Sequence, residues 1–273
     1  MALLEHPDAV VALLIAASFS LLAYLLKSLS KSGAIATCLI GFLIYWLGGW
    51  KFPIPLLTFF ISSSILSRFR SKSKRKAELH SAKGARRDHG QVLANGGVAT
   101  LMVVLFGLLG KSITLPTLRI LLICFTASIA TMNADTWATE IGTLSKVRPR
   151  QLRDWKSAST GVSGAISLLG SVGATAGALL IIFVGHLLWQ FDLVEWTALI
   201  WGSVLGCLTD SLLGAGVQVQ YAGSDGAITE RALPGTIPLR GVRWVSNDVV
   251  NLLASLVGAL ISGVLMVLVG KVS

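Results

Sequence analysis

Five polar patches interrupt an otherwise apolar chain, and their side chains are those that hold hard cations and phosphate. In DHGQVLANGG (88–97), Asp88, Gln91 and Asn95 recur at i, i+3 and i+7, so they form one stripe along a helix. In NADTWATEIG (133–142), Asn133, Thr136 and Glu140 share a face, whereas Asp135 lies about 140° from Glu140 at 100° per residue. Either both faces of that helix look inward or the helix is distorted there. STGVSG (159–164) opens a stretch whose Ser163, Ser167 and Ser171 suit tight helix packing. A small-residue stripe, Gly202-x3-Gly206-x3-Asp210-x3-Gly214, sets Asp210 between glycines with Thr209 and Ser211 beside it. NDVVN (247–251) places Asn247 and Asn251 at i and i+4, with Asp248 next to them.

Taken singly, these patches have plain readings: an Asn at a helix start can be a cap, and a Thr can bond back to its own helix. Together, Asp135, Glu140, Asp210 and Asp248 with the surrounding amide oxygens make an oxygen-rich donor set. Such a set suits Mg²⁺, which takes one or two carboxylates and completes its shell with waters and phosphate oxygens. His6, His80, His89 and His186 are scattered and point to neither zinc nor haem. Cys38, Cys124 and Cys207 lie inside apolar runs at unrelated spacings and read as small buried hydrophobes.

The elements that position these groups follow from composition. Of the 273 residues, 53% are hydrophobic and 13% charged, with a mean hydropathy of +0.74. A soluble domain carries about 25% charged residues. Apolar runs fall near 8–26, 33–50, 53–67, 90–110, 115–143, 162–188, 195–217 and 247–269. The third is short and opens with Pro53 and Pro55. About 20 residues cross a hydrocarbon core of roughly 30 Å, and in that medium every backbone amide needs an internal partner, so the runs are helices. The expected fold is an all-α polytopic bundle of about eight spans, a single transmembrane domain over 1–273 with its main cytoplasmic loops at 68–89 and 218–246. Met1 to Asp8 carry no Lys or Arg and no small-residue cleavage site precedes Lys27, so the first run reads as a span rather than a cleaved leader.

The formal net charge of +10 is explained by topology. With the N-terminus outside, segments 27–32, 68–89, 144–161 and 218–246 face the cytoplasm and hold 19 of the 23 Lys and Arg. Lys51, Lys111, Arg119 and Lys271 remain outside, and the outer loop 189–196 carries Asp192 and Glu195. That is the positive-inside pattern. Loop 68–89 suits anionic headgroups, and its Lys83, Arg86 and Arg87 sit beside the fourth helix, where they can contact phosphate. Nucleic acid is not an expected partner, since Phe69 is the one aromatic in that loop. This orientation gathers all five polar patches at the cytoplasmic helix ends. Each charge in a spanning helix costs about 2.5–3.5 kcal/mol on insertion scales, so a one-sided gathering marks function.

Carboxylates beside Arg and Lys at a membrane boundary fit phosphoryl transfer onto a lipid, where catalysis is mostly positioning and charge neutralisation. No Gly-x4-Gly-Lys-[Ser/Thr] loop is present. RDHGQVLANGG (87–97), NADTWATEIG (133–142), STGVSGAISLLG (159–170), GCLTDSLLGA (206–215) and NDVVN (247–251) resemble, in order, the recurrent motifs of the phytyl-phosphate kinase family. The similarity runs over about residues 1–270, and NADTWATEIG is its most distinctive piece. The resemblance implies nucleotide-dependent conversion of an isoprenyl monophosphate to its diphosphate, for tocopherol and related quinones, in a bacterial plasma membrane or a thylakoid. CTP is the expected donor, by analogy with related polyprenol kinases.

Roles follow from chemistry and position. Asp135, Glu140, Asp210 and Asp248, aided by Asn133 and Asn251, are expected to hold Mg²⁺ and the triphosphate. Lys83, Arg86, Arg87 and Arg243 would neutralise phosphate charge, while Asp88, Gln91, Asn95, Ser159, Thr160, Ser211 and Asn247 would line the substrate. A phosphate monoester is largely ionised near neutral pH, so no strong general base is required. Two alternatives share these features. An ion-coupled transporter would place its site near the midplane, reachable from both sides. A CDP-linked lipid transferase would carry a long Asp-Gly…Asp spacing, which this chain lacks.

Overall fold

The computed structural model describes residues 7–69, 86–110, 112–222, 228–230 and 236–269. Among these residues are eight helices: α1 (Ala9–Leu25), α2 (Lys31–Gly48), α3 (Pro53–Arg68), α4 (His89–Leu109), α5 (Leu115–Gly142), α6 (Leu168–Trp189), α7 (Leu193–Gly216) and α8 (Asn247–Leu268). All except α1 and α3 are at least 18 residues long and apolar enough to cross a membrane. Their outer faces expose Leu14, Leu39, Ile65, Leu101, Leu187 and Leu260, as a bilayer solvent permits.

Local sequence sets the helix starts. Asp8, Ser30, Asp88, Thr114, Ser167 and Asp192 each accept backbone N–H groups of the first turn. Asp88 and Asp192 complete capping boxes with Gln91 and Glu195. Pro53 opens α3 at a position where its missing N–H is harmless.

The odd-numbered helices end, and the even-numbered ones begin, at one end of the bundle. There the chain before α4 meets the α1–α2 turn: Ser30 N donates to Arg87 O at 2.9 Å and Arg87 N to Ser28 O at 3.1 Å. At the same end Ser67, closing α3, donates to Glu140, closing α5.

Helix α5 is the core. It packs against α3, α4, α6, α7 and α8, and every residue from Leu122 to Ala134 is buried. Thr126, Ser128 and Thr131 are satisfied by back-bonding to Leu122 O, Phe125 O and Ala127 O at 3.0, 2.7 and 2.8 Å. A helix buried all round has two inward faces, which answers how Asp135 and Glu140 can both look into the protein without distortion.

The α7–α8 contact uses the glycine stripe: a Cβ on Gly206 would lie 3.0 Å from Ala254 O, and one on Gly202 2.6 Å from Gly258 O. The α5–α6 contact uses a second stripe that the serine pattern did not indicate. Cβ atoms on Gly173 and Gly177 would each lie 2.9 Å from a backbone oxygen of α5.

The sixth helix begins at Leu168, six residues after the expected start at 162. Gly161 and Gly164 have φ of 91° and 77°, a left-handed conformation that a helix cannot contain. Gly164 passes so close to α7 that a Cβ there would lie 2.4 Å from Ala215 N. Ser163 therefore sits in a loop, and Ser167 is a cap rather than a packing residue. Two small sheets also brace the loops at this end. The strands β1 (Arg150–Gln151) and β2 (Ala165–Ile166) pair antiparallel, and β3 (Gln220–Ala222) lies between β4 (Ile228–Thr229) and β5 (Ile237–Arg240). At the opposite end, Phe52, Phe125, Trp189 and Phe191 pack ring against ring.

Candidate functional site

A polar cavity of about 510 Å³ occupies the end where the sequence places the five patches. Each patch contributes to its wall: Gln91 and Asn95 from α4, Asp135 and Glu140 from α5, Thr160 and Ser163 from the glycine loop, Asp210 and Ser211 from α7, Asn247 and Asn251 from α8. Arg87 enters from the segment before α4, and Ser67 from the end of α3.

Two charged clusters divide the cavity. On one side the carboxyls of Asp135 and Asp210 face each other within hydrogen-bonding reach. The Asn251 amide donates to Asp210 Oδ2 at 2.9 Å and lies 3.2 Å from the Asn95 amide, so α8 and α4 are tied to the pair. Cys207, one turn before Asp210, borders it. Two carboxyls so close repel when both are charged, and a cation held between them would remove that cost.

On the other side, Arg87 directs its guanidinium to Ser63 Oγ at 2.7 Å and stands over the rings of Phe59 and Phe60, at 5.6 and 5.1 Å from their centroids. Burial lowers its pKa to about 10, with Glu140 opposing, so it is a cation at neutral pH. Glu140 accepts from Ser67 beside it.

The loops close over this end. Ser163 donates to Glu230 and receives from Gln218 Nε2 at 3.2 Å. Arg240 donates to Ala215 O at 2.6 Å, capping the last turn of α7, and to Gln220 Oε1 at 2.8 Å. Burial and then Arg153 push the Arg240 pKa down while Asp154 and Glu230 oppose, so the loop after α5 and the loop after α7 meet here.

Other expected residues stand elsewhere. Asn133 is fully buried and braces the bundle, donating to Gly177 O at 2.7 Å and accepting from Ser62 Oγ at 3.2 Å. Asp88 is the α4 cap. Asp248 lies in the first turn of α8 but does not line the cavity. Arg86, Ser159 and Arg243 are exposed at the same end, and Lys83 lies outside the described residues. Among the described residues, no three His, Cys, Asp or Glu side chains converge on one point. Glu230 and Ser67 line the cavity without having been singled out in the sequence. Glu230 sits in a loop with no periodicity to betray it, and Ser67 looks like one more small residue of α3.

The opposite end holds its own ionic contact, Arg119 with Glu195 at 2.6 Å and 2.8 Å. Glu195 is buried, and the pair joins α5 to α7.

Comparison with known proteins agrees with an integral membrane identity. Protein PGR of Arabidopsis thaliana is 28% identical over 274 residues, covering 93% of this chain and 94% of that protein. The membrane protein MJ0933 of Methanocaldococcus jannaschii is 30% identical over 242 residues, covering 88% and 86%. The chloroplastic protein VTE6 of Arabidopsis thaliana is 21% identical over 240 residues, covering 87% and 65%. No solved structure matches the chain. The family described as "Integral membrane protein DUF92" matches residues 14–259, and the chain belongs to that family.

Proposed function

We propose that the protein is a membrane-embedded kinase that moves a phosphoryl group from a nucleoside triphosphate, CTP being the expected donor, onto an isoprenyl monophosphate such as phytyl phosphate. The observation that carries this reading is the joint lining of one cavity by the Asp135–Asp210 pair and by Arg87. Among the described residues no cation stands beside the carboxyl pair, which suits a donor that arrives with its own divalent metal, and a guanidinium suits an anionic acceptor. The resemblance to the phytyl-phosphate kinase family in five ordered motifs, and the PGR and VTE6 relatives, support a place in prenyl-lipid metabolism.

The donor set fits Mg²⁺. Asp135 and Asp210 would supply two carboxylates to the ion, with phosphate oxygens and water as its remaining ligands. When bound, the ion would neutralise charge on the β- and γ-phosphates. The chain's own residues do the rest. Asn251 orients Asp210, Arg87 holds the acceptor phosphate, and Thr160, Ser163 and Ser211 offer hydroxyls to the donor. An acceptor phosphate oxygen attacks the γ-phosphorus, the bond from that phosphorus to the β–γ bridging oxygen breaks, and the nucleoside diphosphate leaves. No proton has to be removed, so the cavity needs no base. Arg86 and Arg243 add positive charge where the nucleotide arrives, and the Lys and Arg asymmetry supports a cytoplasmic position for that side.

The test is turnover by purified protein in nanodiscs with Mg²⁺, each nucleoside triphosphate, and a panel of prenyl alcohols and monophosphates. Diphosphate formed from a prenyl monophosphate is the expected product. Absence of product with every pair, together with ion flux in liposomes, would overturn the reading in favour of transport.

A further inference from the structure

A second cavity, of about 190 Å³, adjoins the first and is lined by α1, α2, α3 and α4. Its wall is apolar along most of its length, with Ile40, Ile44, Leu56, Leu57, Phe60 and Val92 among the lining side chains. Arg87, Gln91 and Asn95 belong to both cavities and form the neck between them. From Ser63, which touches Arg87, to Pro53 at the far limit is ten residues of α3, about 15 Å at 1.5 Å per residue. The space exceeds the ~150 Å³ of an apolar cavity that takes up benzene, and its length suits a chain better than a ring system. Ile15, on its rim, is 47% exposed to the membrane side, so a chain can enter sideways from lipid.

We propose that this groove receives the apolar chain of the acceptor, with the phosphate of the same molecule fixed at the neck by Arg87. Charge complementarity selects that occupant over a neutral lipid. Among the described residues Ser63 Oγ is the one hydrogen-bond acceptor of the Arg87 guanidinium, which leaves most of its five donors for an anion. Gln91 and Asn95 stand one helical turn apart on the stripe that faces the neck, and their amides add donors at two depths. Small residues keep the passage open. Gly96 lines the groove and a Cβ there would meet Ile40 Cδ1 at 3.4 Å, so a larger side chain would project into the space a chain needs. The acceptor is thus an amphiphile with one phosphomonoester head and a single long apolar chain, held with its head toward Glu140 and Asp135. The identity of the head group rests on the kinase reading; the location of the chain does not.

The experiment has two arms in nanodiscs. In the first, a long-chain alkyl phosphate carrying a diazirine at its far end is photolysed on the unmodified protein, with the matching neutral alcohol as control. Labelling should fall on Ile44, Leu56, Leu57 or Phe60, should be competed by phytyl phosphate, and should be at least about tenfold weaker for the alcohol. Labelling confined to the lipid-facing residues of α6 to α8, or equal labelling by the alcohol, overturns the proposal. In the second arm, Leu56→Trp and Gly96→Leu are compared with wild type on phytyl phosphate and dimethylallyl phosphate. The ratio of kcat/KM for the long chain over the short one should fall at least about tenfold, the worth of roughly two buried methylenes. An unchanged ratio in a variant that turns over either substrate overturns the groove while leaving the kinase reading intact. Groove labelling without turnover of any phosphate would do the reverse.

Discussion

Replacing Asp210 by Asn separates a metal-holding pair from a structural one, because the two readings predict opposite effects on stability. The amide keeps the shape of the carboxylate, and its oxygen can still accept from Asn251, now at 2.9 Å from Oδ2. If the Asp135–Asp210 contact were only a strut, the substitution would weaken a charge-assisted hydrogen bond and cost about 1–3 kcal/mol with or without metal. If the pair is built to hold Mg²⁺, the metal-free protein is strained by two facing carboxyls. Two like charges about 4 Å apart repel by roughly 4 kcal/mol at an effective dielectric of 20, and proton sharing relieves only part of this. Asp210→Asn should then leave metal-free stability unchanged or higher.

Mg²⁺ acts in the other direction. At a hundred times its Kd it stabilises the wild type by about 2.7 kcal/mol, and loss of one of two protein ligands should remove most of that gain. Turnover should fall about 10²–10³-fold, as when one preorganised charge-stabilising group is lost. The eight tryptophans allow melting with and without Mg²⁺ to be followed by intrinsic fluorescence, alongside diphosphate formation. A variant that turns over within about threefold of wild type, or one that gains the same Mg²⁺ stabilisation, would refute the assignment. So would a variant that is less stable in the absence of metal.

Arg87→Gln should raise KM for the prenyl phosphate about 10–100-fold, the worth of hydrogen bonds to a charged group, with a smaller change in the KM for nucleotide; steady-state kinetics with each substrate varied checks this. Gly164→Ala should destabilise the protein by about 1–3 kcal/mol and also lower turnover, since a left-handed φ of 77° and a Cβ 2.4 Å from Ala215 N displace the loop that carries Thr160 and Ser163; melting and kcat measured together should fall. Glu195→Ala breaks the buried pair with Arg119 at the far end; with Arg119 partly exposed, a loss of about 2–3 kcal/mol is expected, while turnover per folded molecule stays at the wild-type level.

Much of the site was legible because its residue types are expensive in the setting the composition defines. An Asp inside a glycine stripe has to face protein, and Asp210 does. The i, i+3, i+7 stripe of Asp88, Gln91 and Asn95 points one way, as read, although Asp88 spends itself on the cap. The angle between Asp135 and Glu140 could not be resolved from one helix. It depends on α5 being surrounded, and apolar side chains look alike whether they meet lipid or another helix. The same ambiguity hid the groove: Ile40 and Leu56 read as ordinary span residues. Two failures have a different cause. Val162, Ala165 and Ile166 continue an apolar run, so the sequence suggests a helix where Gly161 and Gly164 take left-handed angles set by contact with α7. Glu230 reaches the cavity only because the loop after α7 folds back through β3–β5 pairing, a nonlocal event with no short-range signal.

The position of the carboxylate pair along α5 favours the proposed kinase over a transport site. Arg119 pairs with Glu195 near one end of the helix, where a charged pair is least costly at a bilayer boundary. Sixteen residues separate it from Asp135, about 24 Å, and twenty-one separate it from Glu140, about 32 Å. Against a hydrocarbon core of roughly 30 Å, Asp135 lies within about two turns of the opposite boundary and Glu140 at it. A path for ions across the membrane would need its carboxylates near the middle of this span, at Ser128 to Thr131, and there α5 is fully buried and offers only the Ser128 and Thr131 hydroxyls, already bonded to Phe125 O and Ala127 O. The polar cavity therefore lies toward one end of α5, and the apolar groove adjoins it at the Arg87–Asn95 neck. A water-soluble donor and a lipid acceptor are the pair of molecules that such a division suits. Each would reach the Arg87–Asn95 neck from its own solvent, and neither would have to leave it.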